Sequence, residues 1–97
     1  SACDTRFTTL ARSIASLAEY YYNSDHIREA EILLQYGINI GTDVKKNYTL
    51  LAECYIKKDR SCADSKIEAL KEKASALNSL SKEPILNALD DILDKTK

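Results

Sequence analysis

A short pattern that returns after 34 residues is the feature that most constrains how this chain folds. Residues 17–25 and 51–59 both read Leu-Ala-Glu-x-Tyr-x-x-x-Asp, and upstream Leu10 returns at the same offset as Val44. A period near this length is typical of stacked helical hairpins, because each hairpin hides its apolar side only against its neighbours. Such arrays usually hold another polypeptide. The repeat therefore favours a scaffold over an enzyme.

Composition and charge exclude several other classes of protein. Of the 97 residues, 44% are hydrophobic and 30% are charged, and the net charge is -1. This is the profile of an ordinary globular chain with one modest core. The near-neutral charge gives no electrostatic reason to expect nucleic acid as a partner, and no apolar run approaches the roughly 20 residues of a membrane helix. We expect a single domain over residues 1–97 that binds another protein and no cofactor.

Apolar residues at helical spacing predict an all-α fold of five helices. The predicted helices span residues 4–23, 26–40, 44–58, 62–80 and about 84–95. The first four form two hairpins, repeat 1 over about 10–43 and repeat 2 over about 44–78, and the fifth caps the array. The expected architecture is therefore an α-α superhelix.

Short polar clusters predict where the helices begin and end. Residues 23–25, Asn-Ser-Asp, form a turn that can cap the second helix, and Gly41 ends that helix. Ser61 and Asp64 resemble a capping box at the start of the fourth helix. Pro84 fits the first turn of the fifth helix, where its missing N–H group would be unpaired anyway.

The helical stripes predict which side chains form the core. On the first helix the stripe contains Leu10, Ile14, Leu17, Ala18 and Tyr21. The second helix has an additional apolar stripe that contains Ile32, Tyr36 and Ile40. We therefore expect that helix to be covered on two sides. The face of the fifth helix that should lie against the fourth contains Ile85, Leu89 and Ile92.

Large, small and aromatic residues follow one order in both hairpins. In the first they are Ile14, Leu17, Ala18, Tyr21, Ala30 and Leu34; in the second they are Tyr48, Leu51, Ala52, Tyr55, Ala63 and Ile67, the last two one position early. Over residues 10–78 this order resembles the tetratricopeptide repeat family. The proline that ends each repeat in that family is missing, and Thr42 stands at the first such position. An irregular five-helix bundle with a chance repeat is the alternative.

The resemblance to tetratricopeptide repeats implies a concave groove that holds a helix or an extended segment of a partner protein. The positions that would line this groove are Arg12, Ala15, Glu19, Tyr22, Asn23, Thr49, Glu53, Ile56 and Lys57. Tyr22 has an alternative role, because it can instead pack against a neighbouring helix of the same domain. Small members of this fold are cytosolic chaperones for type III secretion needle subunits. The resemblance therefore implies a cytoplasmic adaptor or chaperone that forms a hetero-oligomer.

Catalysis has little support in the sequence. His26 is the only histidine, and it lies beside a predicted turn, where a histidine is usually a solvated surface residue. Glu19 and Glu53 repeat with the array and could form a carboxylate pair, although the groove or water is the expected environment of both. No phosphate-binding loop, metal-ligand spacing or nucleophile–base pair is present. We expect no enzyme activity, no catalytic residue and no bound metal.

The cysteines leave two questions open. Residues 1–4, Ser-Ala-Cys-Asp, resemble the end of a bacterial lipoprotein signal, in which Cys3 would be lipidated. The alternative function is therefore an envelope lipoprotein that scaffolds a membrane or secretion complex and touches the membrane only through Cys3. Cys54 and Cys62 flank the second turn at a spacing that permits a disulfide, but we expect both to be reduced.

Overall fold

The computed structural model describes residues 2–77, 80 and 82–96, with side chains from Thr9 to Lys95 within those ranges. These residues form five helices and no strand, which confirms the predicted all-α, five-helix fold. The helices are α1 (Ala2–Asn23), α2 (Ile27–Asn39), α3 (Lys45–Lys58), α4 (Arg60–Ser75) and α5 (Lys82–Thr96).

The helices pack as two layers of a slab that measures 42 × 28 × 16 Å. Each helix packs against the next one along the chain, and in addition α1 packs on α3 and α3 packs on α5. The odd-numbered helices therefore form one layer, and α2 and α4 form the other. As a result, α3 is in contact with each of the other four helices.

Two helices end in a left-handed residue. The N–H of Thr42 donates to the carbonyl oxygen of Gly37 (3.1 Å) and that of Gly41 to Ile38 (3.0 Å), while Gly41 has a φ of 91°. This pair of hydrogen bonds is the Schellman motif, in which glycine adopts the left-handed conformation without strain. The prediction that Gly41 ends α2 is confirmed.

The turn after α1 follows the same pattern with aspartate in place of glycine. Asp25 has a φ of 68°, its N–H donates to Tyr22 (3.2 Å), and the N–H of His26 donates to Tyr21 (2.8 Å). The cluster at residues 23–25 therefore ends α1. Its predicted role as a side-chain cap of α2 is wrong, because His26 occupies the cap position and makes no side-chain cap hydrogen bond.

A single residue, Asp59, joins α3 to α4. Its backbone is extended, and its carboxylate accepts hydrogen bonds from the N–H (3.1 Å) and the hydroxyl (2.6 Å) of Ser61. These hydrogen bonds lower the pKa of the Asp59 carboxyl group. The predicted capping box of Ser61 and Asp64 is wrong, because α4 begins at Arg60 and the cap comes from the residue before it.

The fourth helix also ends earlier than predicted. It stops at Ser75 instead of reaching Leu80, whose side chain is 99% exposed. The N–H groups of Ala76 and Leu77 turn back to carbonyls three residues earlier, which tightens the last turn and closes the helix. Pro84 lies in the first turn of α5, as predicted.

The core is centred on α3. Its fully buried side chains include Tyr48, Leu51 and Ala52, and the Tyr48 hydroxyl donates to the carbonyl oxygen of Thr42 at 2.9 Å. The repeated small residue of the first hairpin, Ala18, is fully buried as well. α5 buries Ile85, Leu89, Ile92 and Leu93. This helix packs on both α3 and α4, so the prediction that it lies on α4 alone is incomplete.

The first hairpin leaves apolar side chains uncovered. Leu10 and Leu17 are 46% and 47% exposed, while Ala11 and Ala15 are buried, so the core side of α1 is rotated from the predicted stripe. Ile32, Tyr36 and Ile40 of α2 are exposed too, and the expectation that they would be covered is wrong. The physical reason is that the hairpin before α3 covers one side of that helix with α2. Among the described residues, no helix covers the corresponding side of α1.

Gly37 lets α2 approach α3 closely. A Cβ atom added at Gly37 would lie 2.5 Å from Nδ2 of Asn47, which is fully buried. Neither polar side-chain atom of Asn47 has a hydrogen-bond partner among the described residues. The amide is therefore held by packing alone.

Replacing Gly37 by Ala should therefore destabilise the fold. Overpacking at the α2–α3 contact costs about 1–3 kcal/mol, which exceeds the gain in helix propensity of about 1 kcal/mol. Urea denaturation of the purified variant measures the change. The double variant Gly37→Ala/Asn47→Ala should recover part of the loss, because it removes the clashing amide. A Gly37→Ala variant that is more stable than the parent would contradict the close contact.

Candidate functional site

Most of the predicted groove residues lie at the accessible surface of α1 and α3. Arg12, Asn23, Glu53 and Lys57 are exposed, and Glu19, Tyr22, Thr49 and Ile56 are partly exposed. Contacts between the two helices bring several of them together. We call the surface formed by Glu19, Tyr22, Lys46, Glu53, Ile56 and Lys57 the α1–α3 face.

Two polar contacts cross from α3 to α1 on this face. Nζ of Lys46 lies 2.8 Å from Oε1 of Glu19, and Nζ of Lys57 lies 5.0 Å from the centre of the Tyr22 ring. Both side chains of the ion pair are almost half exposed, so water screens their attraction and the pair contributes little to stability. The lysine above the ring forms a cation–π contact. The face is therefore ordered but remains accessible to a partner.

Tyr22 is the aromatic centre of the α1–α3 face. It packs against the core from one side, and this burial, together with the nearby carboxylate of Glu53, raises the pKa of its hydroxyl group. Tyr22 is therefore an uncharged phenol over the physiological pH range. Such a side chain offers apolar area and one hydroxyl group, a combination that is common at the centre of protein interfaces.

One predicted groove residue is not available for binding. Ala15 is 1% exposed, so in this structure it offers no surface to a partner. Its small side chain lies in the core side of α1, and its repeat counterpart, Thr49, is partly exposed. The repeat period predicted an exposed position for Ala15, whereas its side chain is buried. The candidate lipidation site, Cys3, lies outside the described side chains.

An ion pair between a buried carboxylate of α2 and a partly exposed lysine of α3 was not predicted from the sequence. Glu31 is 8% exposed, and both of its carboxylate oxygens accept hydrogen bonds from Nζ of Lys58, at 2.8 and 3.2 Å. Nothing in the sequence spacing links these residues, which are 27 positions apart. The pair ties the second helix to the end of the third.

A cleft on the opposite side of the slab was also missed. It encloses about 260 Å³ between α2 and α4, and its floor contains Leu51 and Tyr55 of α3. The hydroxyl group of Tyr55 accepts a hydrogen bond from Gln35 at 3.4 Å, and Lys66 lies 5.2 Å above its ring. Lys73 donates to Asn39 across the opening at 3.1 Å. These polar contacts lie at the exposed rim of the cleft.

The described residues contain neither a cluster of metal ligands nor a helix that could span a membrane. Within them, no three His, Cys, Asp or Glu side chains come together as a possible metal site. None of the described helices is both long and apolar enough to cross a membrane. His26 is exposed and its ring lies edge-on to Tyr21, with 6.1 Å between the ring centres.

Comparison of the chain with protein-family models, with curated proteins and with solved structures gave no match. The resemblance to tetratricopeptide repeats therefore rests on the repeated residues alone. It stays a prediction, and so does the function that it implies.

Two of the cysteines are free thiols in different surroundings. Cys54 is fully buried, and burial raises the pKa of its thiol to about 11, with Glu31 and Glu53 adding to the rise. Cys62 is exposed at the start of α4. Because the thiolate is the reactive form, the two cysteines should differ strongly in reactivity.

Iodoacetamide at pH 7.5 should therefore modify Cys62 in the native protein and leave Cys54 intact. Peptide mapping by mass spectrometry separates the two sites. In about 6 M guanidinium chloride, which unfolds ordinary domains, both should react at similar rates. Equal rates in the native protein would mean that Cys54 is not enclosed as described.

The ion pair of Glu31 and Lys58 should contribute more to stability than the neighbouring contact of Lys57 with the Tyr22 ring. Replacing Lys58 by Met leaves a nearly buried carboxylate without its partner and should lower the free energy of unfolding by about 1–2 kcal/mol. The matched control is Lys57→Met, which loses only an accessible contact with Tyr22 and should change stability by less than about 0.5 kcal/mol. Equal effects of the two variants in urea denaturation would refute the assignment.

Proposed function

We propose that this protein is a non-enzymatic interaction module, an adaptor or chaperone that holds a helical or extended segment of a partner protein against the α1–α3 face. The observation that carries the proposal is the position of Tyr22 and Ile56. They are related by the 34-residue repeat and lie partly exposed on two helices that pack side by side. The same repeat position is thereby accessible on two neighbouring helices.

The chemistry around these two side chains supports a protein partner. Glu19 and Lys46 flank them at one place and Glu53 and Lys57 at another, so both signs of charge border an aromatic and an aliphatic side chain. An apolar centre with a polar rim is the usual composition of a protein interface. Equal numbers of acidic and basic groups favour a partner segment with apolar anchors over a strongly acidic or basic one.

The contacts within the face also suggest how a partner would bind. Lys57 covers the Tyr22 ring and must swing aside before another side chain can stack there. Lysine has a long, flexible side chain, and the pair is accessible, so this movement costs little. A partner residue of large apolar area would then take the place of the lysine.

Two more specific functions implied by the sequence remain predictions. The role of a cytoplasmic chaperone for a type III secretion needle subunit, and the alternative of an envelope lipoprotein anchored at Cys3, both come from resemblance. Neither is supported by a contact among the described residues. The general binding role does not depend on either of them.

The binding role can be tested by affinity capture from an extract of the cells that make the protein. Tyr22→Ala removes the aromatic anchor, and Glu53→Lys reverses a rim charge. Tyr22→Ala should weaken the affinity for the captured partner at least about tenfold, because a buried aromatic anchor contributes about 1–2 kcal/mol or more to binding. Glu53→Lys should weaken capture less and mainly at low salt.

Matched controls lie on the other layer of the slab. Lys66→Ala and Glu72→Lys change exposed residues of α4 and should retain the same partner at parent levels. Thermal denaturation of all four variants shows whether each is folded. If the α4 variants lose the partner while Tyr22→Ala keeps it, the α2–α4 cleft carries the function and the proposed face is wrong.

A further inference from the structure

Exposed large apolar side chains are concentrated on the first hairpin. Leu80 is a separate, isolated case, and the other large apolar side chains that are well exposed are Leu10, Leu17, Tyr20, Ile32, Tyr36 and Ile40. Three belong to α1 and three to α2 or its C-terminal flank. We call five of them, Leu10, Leu17, Tyr20, Tyr36 and Ile40, the end face. Ile32 lies on another side of α2, two turns before Asn39, whose side chain accepts a hydrogen bond from Lys73 of α4.

The second hairpin identifies the side to which the α1 residues belong. By the 34-residue offset, Leu17 corresponds to Leu51 and Tyr20 to Cys54, both of which are fully buried. Leu51 and Ile38 of α2 line the same cleft, and Glu31 of α2 pairs at 2.8 Å with Lys58, which lies one turn after Cys54 on α3. The exposed side of α1 therefore corresponds, in the repeat, to the side of α3 that packs against the first hairpin.

The α2 residues belong to the same side. Between α2 and α4 the offset is 33, since Ala30 and Ala63 are both fully buried and so are Leu34 and Ile67. At this offset Tyr36 corresponds to Ala69 and Ile40 to Lys73.

Ala69 and Lys73 line the cleft that separates α4 from α2. They thus point from α4 toward the preceding hairpin. Tyr36 and Ile40 point in the same direction from α2. A Cβ atom added at Gly37 would lie 3.6 Å from Cγ2 of Ile14, so in this antiparallel hairpin Tyr36 is level with the stretch between Leu10 and Leu17, and Ile40 is level with Leu10. One continuous apolar surface results.

The end face has the size and the charge of an interface between subunits. With side chains of this size, its exposed part amounts to on the order of 500 Å², which is more than half of the roughly 800 Å² that each partner buries in a stable complex. A monomeric protein rarely exposes so large an apolar patch without using it. None of its five residues is charged, so the apolar centre of the face carries no charge that would oppose a second copy.

The spacing along α1 favours a helix as the opposing surface. Leu10, Ser13, Leu17 and Tyr20 follow one another at intervals of 3, 4 and 3 residues, the spacing at which one helix packs along another in a bundle. Ser13 is small and exposed, so it permits a second helix to approach closely at the middle of the stripe. An α1 helix of a second copy carries the same stripe.

We propose that two copies of this chain pair through their end faces about a two-fold axis, so that two α1–α2 hairpins form a four-helix bundle. Two-fold homodimers are by far the commonest assemblies, and a self-complementary patch is what they require. The α1–α3 face lies on a different side of α1, as shown by the contacts of Glu19 and Tyr22 with α3. The dimer would therefore display two such faces, and this inference does not depend on the proposed function.

The oligomeric state tests the proposal. Sedimentation velocity of the parent protein from about 1 to 200 μM, a range that detects micromolar association, should show a species of twice the 10.9 kDa chain mass. Because the interface is symmetric, Leu17→Glu and Tyr36→Glu each place two negative charges in the dimer interface, one from each copy. Each should raise the dissociation constant at least about 100-fold. Both side chains are about half exposed in the single chain, so the variants should stay folded, as thermal denaturation will show.

Leu80→Glu is the matched control, since it makes the same kind of change at an exposed leucine outside the end face and should leave the dimer intact. A parent that is monomeric over the whole range overturns the proposal. So does a dimer that persists in both Leu17→Glu and Tyr36→Glu, because another surface would then hold it together. If a monomeric parent captures a foreign protein that Leu17→Glu releases, the end face belongs to that partner and the second copy is excluded.

Discussion

Packing of α3 against the other four helices is the contact on which the rest of the structure depends. Among the described residues, helix packing joins the α1–α2 hairpin to α4 and α5 only through α3. One side of α3 buries Leu51 and Cys54 beneath α2, and Tyr48 anchors the loop before it through Thr42. Without α3, the two halves of the chain would each keep only one helix-to-helix contact. A core of this size cannot be divided and remain stable.

The sequence was sufficient to predict what depends on local periodicity. Five helices, the glycine that ends α2 and the buried alanines Ala18 and Ala52 all follow from spacing along one helix. The errors arise where a second helix decides the outcome. Leu17 and Leu51 occupy the same repeat position, yet only Leu51 is buried, because α2 lies beside α3 and nothing equivalent lies beside α1. A pattern within one helix does not say which neighbours are present.

The same distinction applies to the candidate site. Counting by 34 residues identified Glu19, Tyr22 and Lys57 as residues of one surface, and the structure brings them together with Lys46. Counting did not reveal that Ala15 is enclosed or that Glu31 pairs with Lys58. Both depend on the angle and distance at which helices cross, which are set by side-chain shapes on two segments at once.

The junction at Asp59 has a mechanical consequence. One residue separates α3 from α4, and its carboxylate is held by Ser61, so few backbone torsions are free to change the angle between the two helices. By contrast, residues 24–26 connect α1 to α2 and residues 40–44 connect α2 to α3, and both connections are longer. A displacement of α4 therefore moves α3 as well, and the α3 residues of the α1–α3 face move with it. The second hairpin therefore moves as one stiff unit, in which α3 and α4 keep a nearly constant angle.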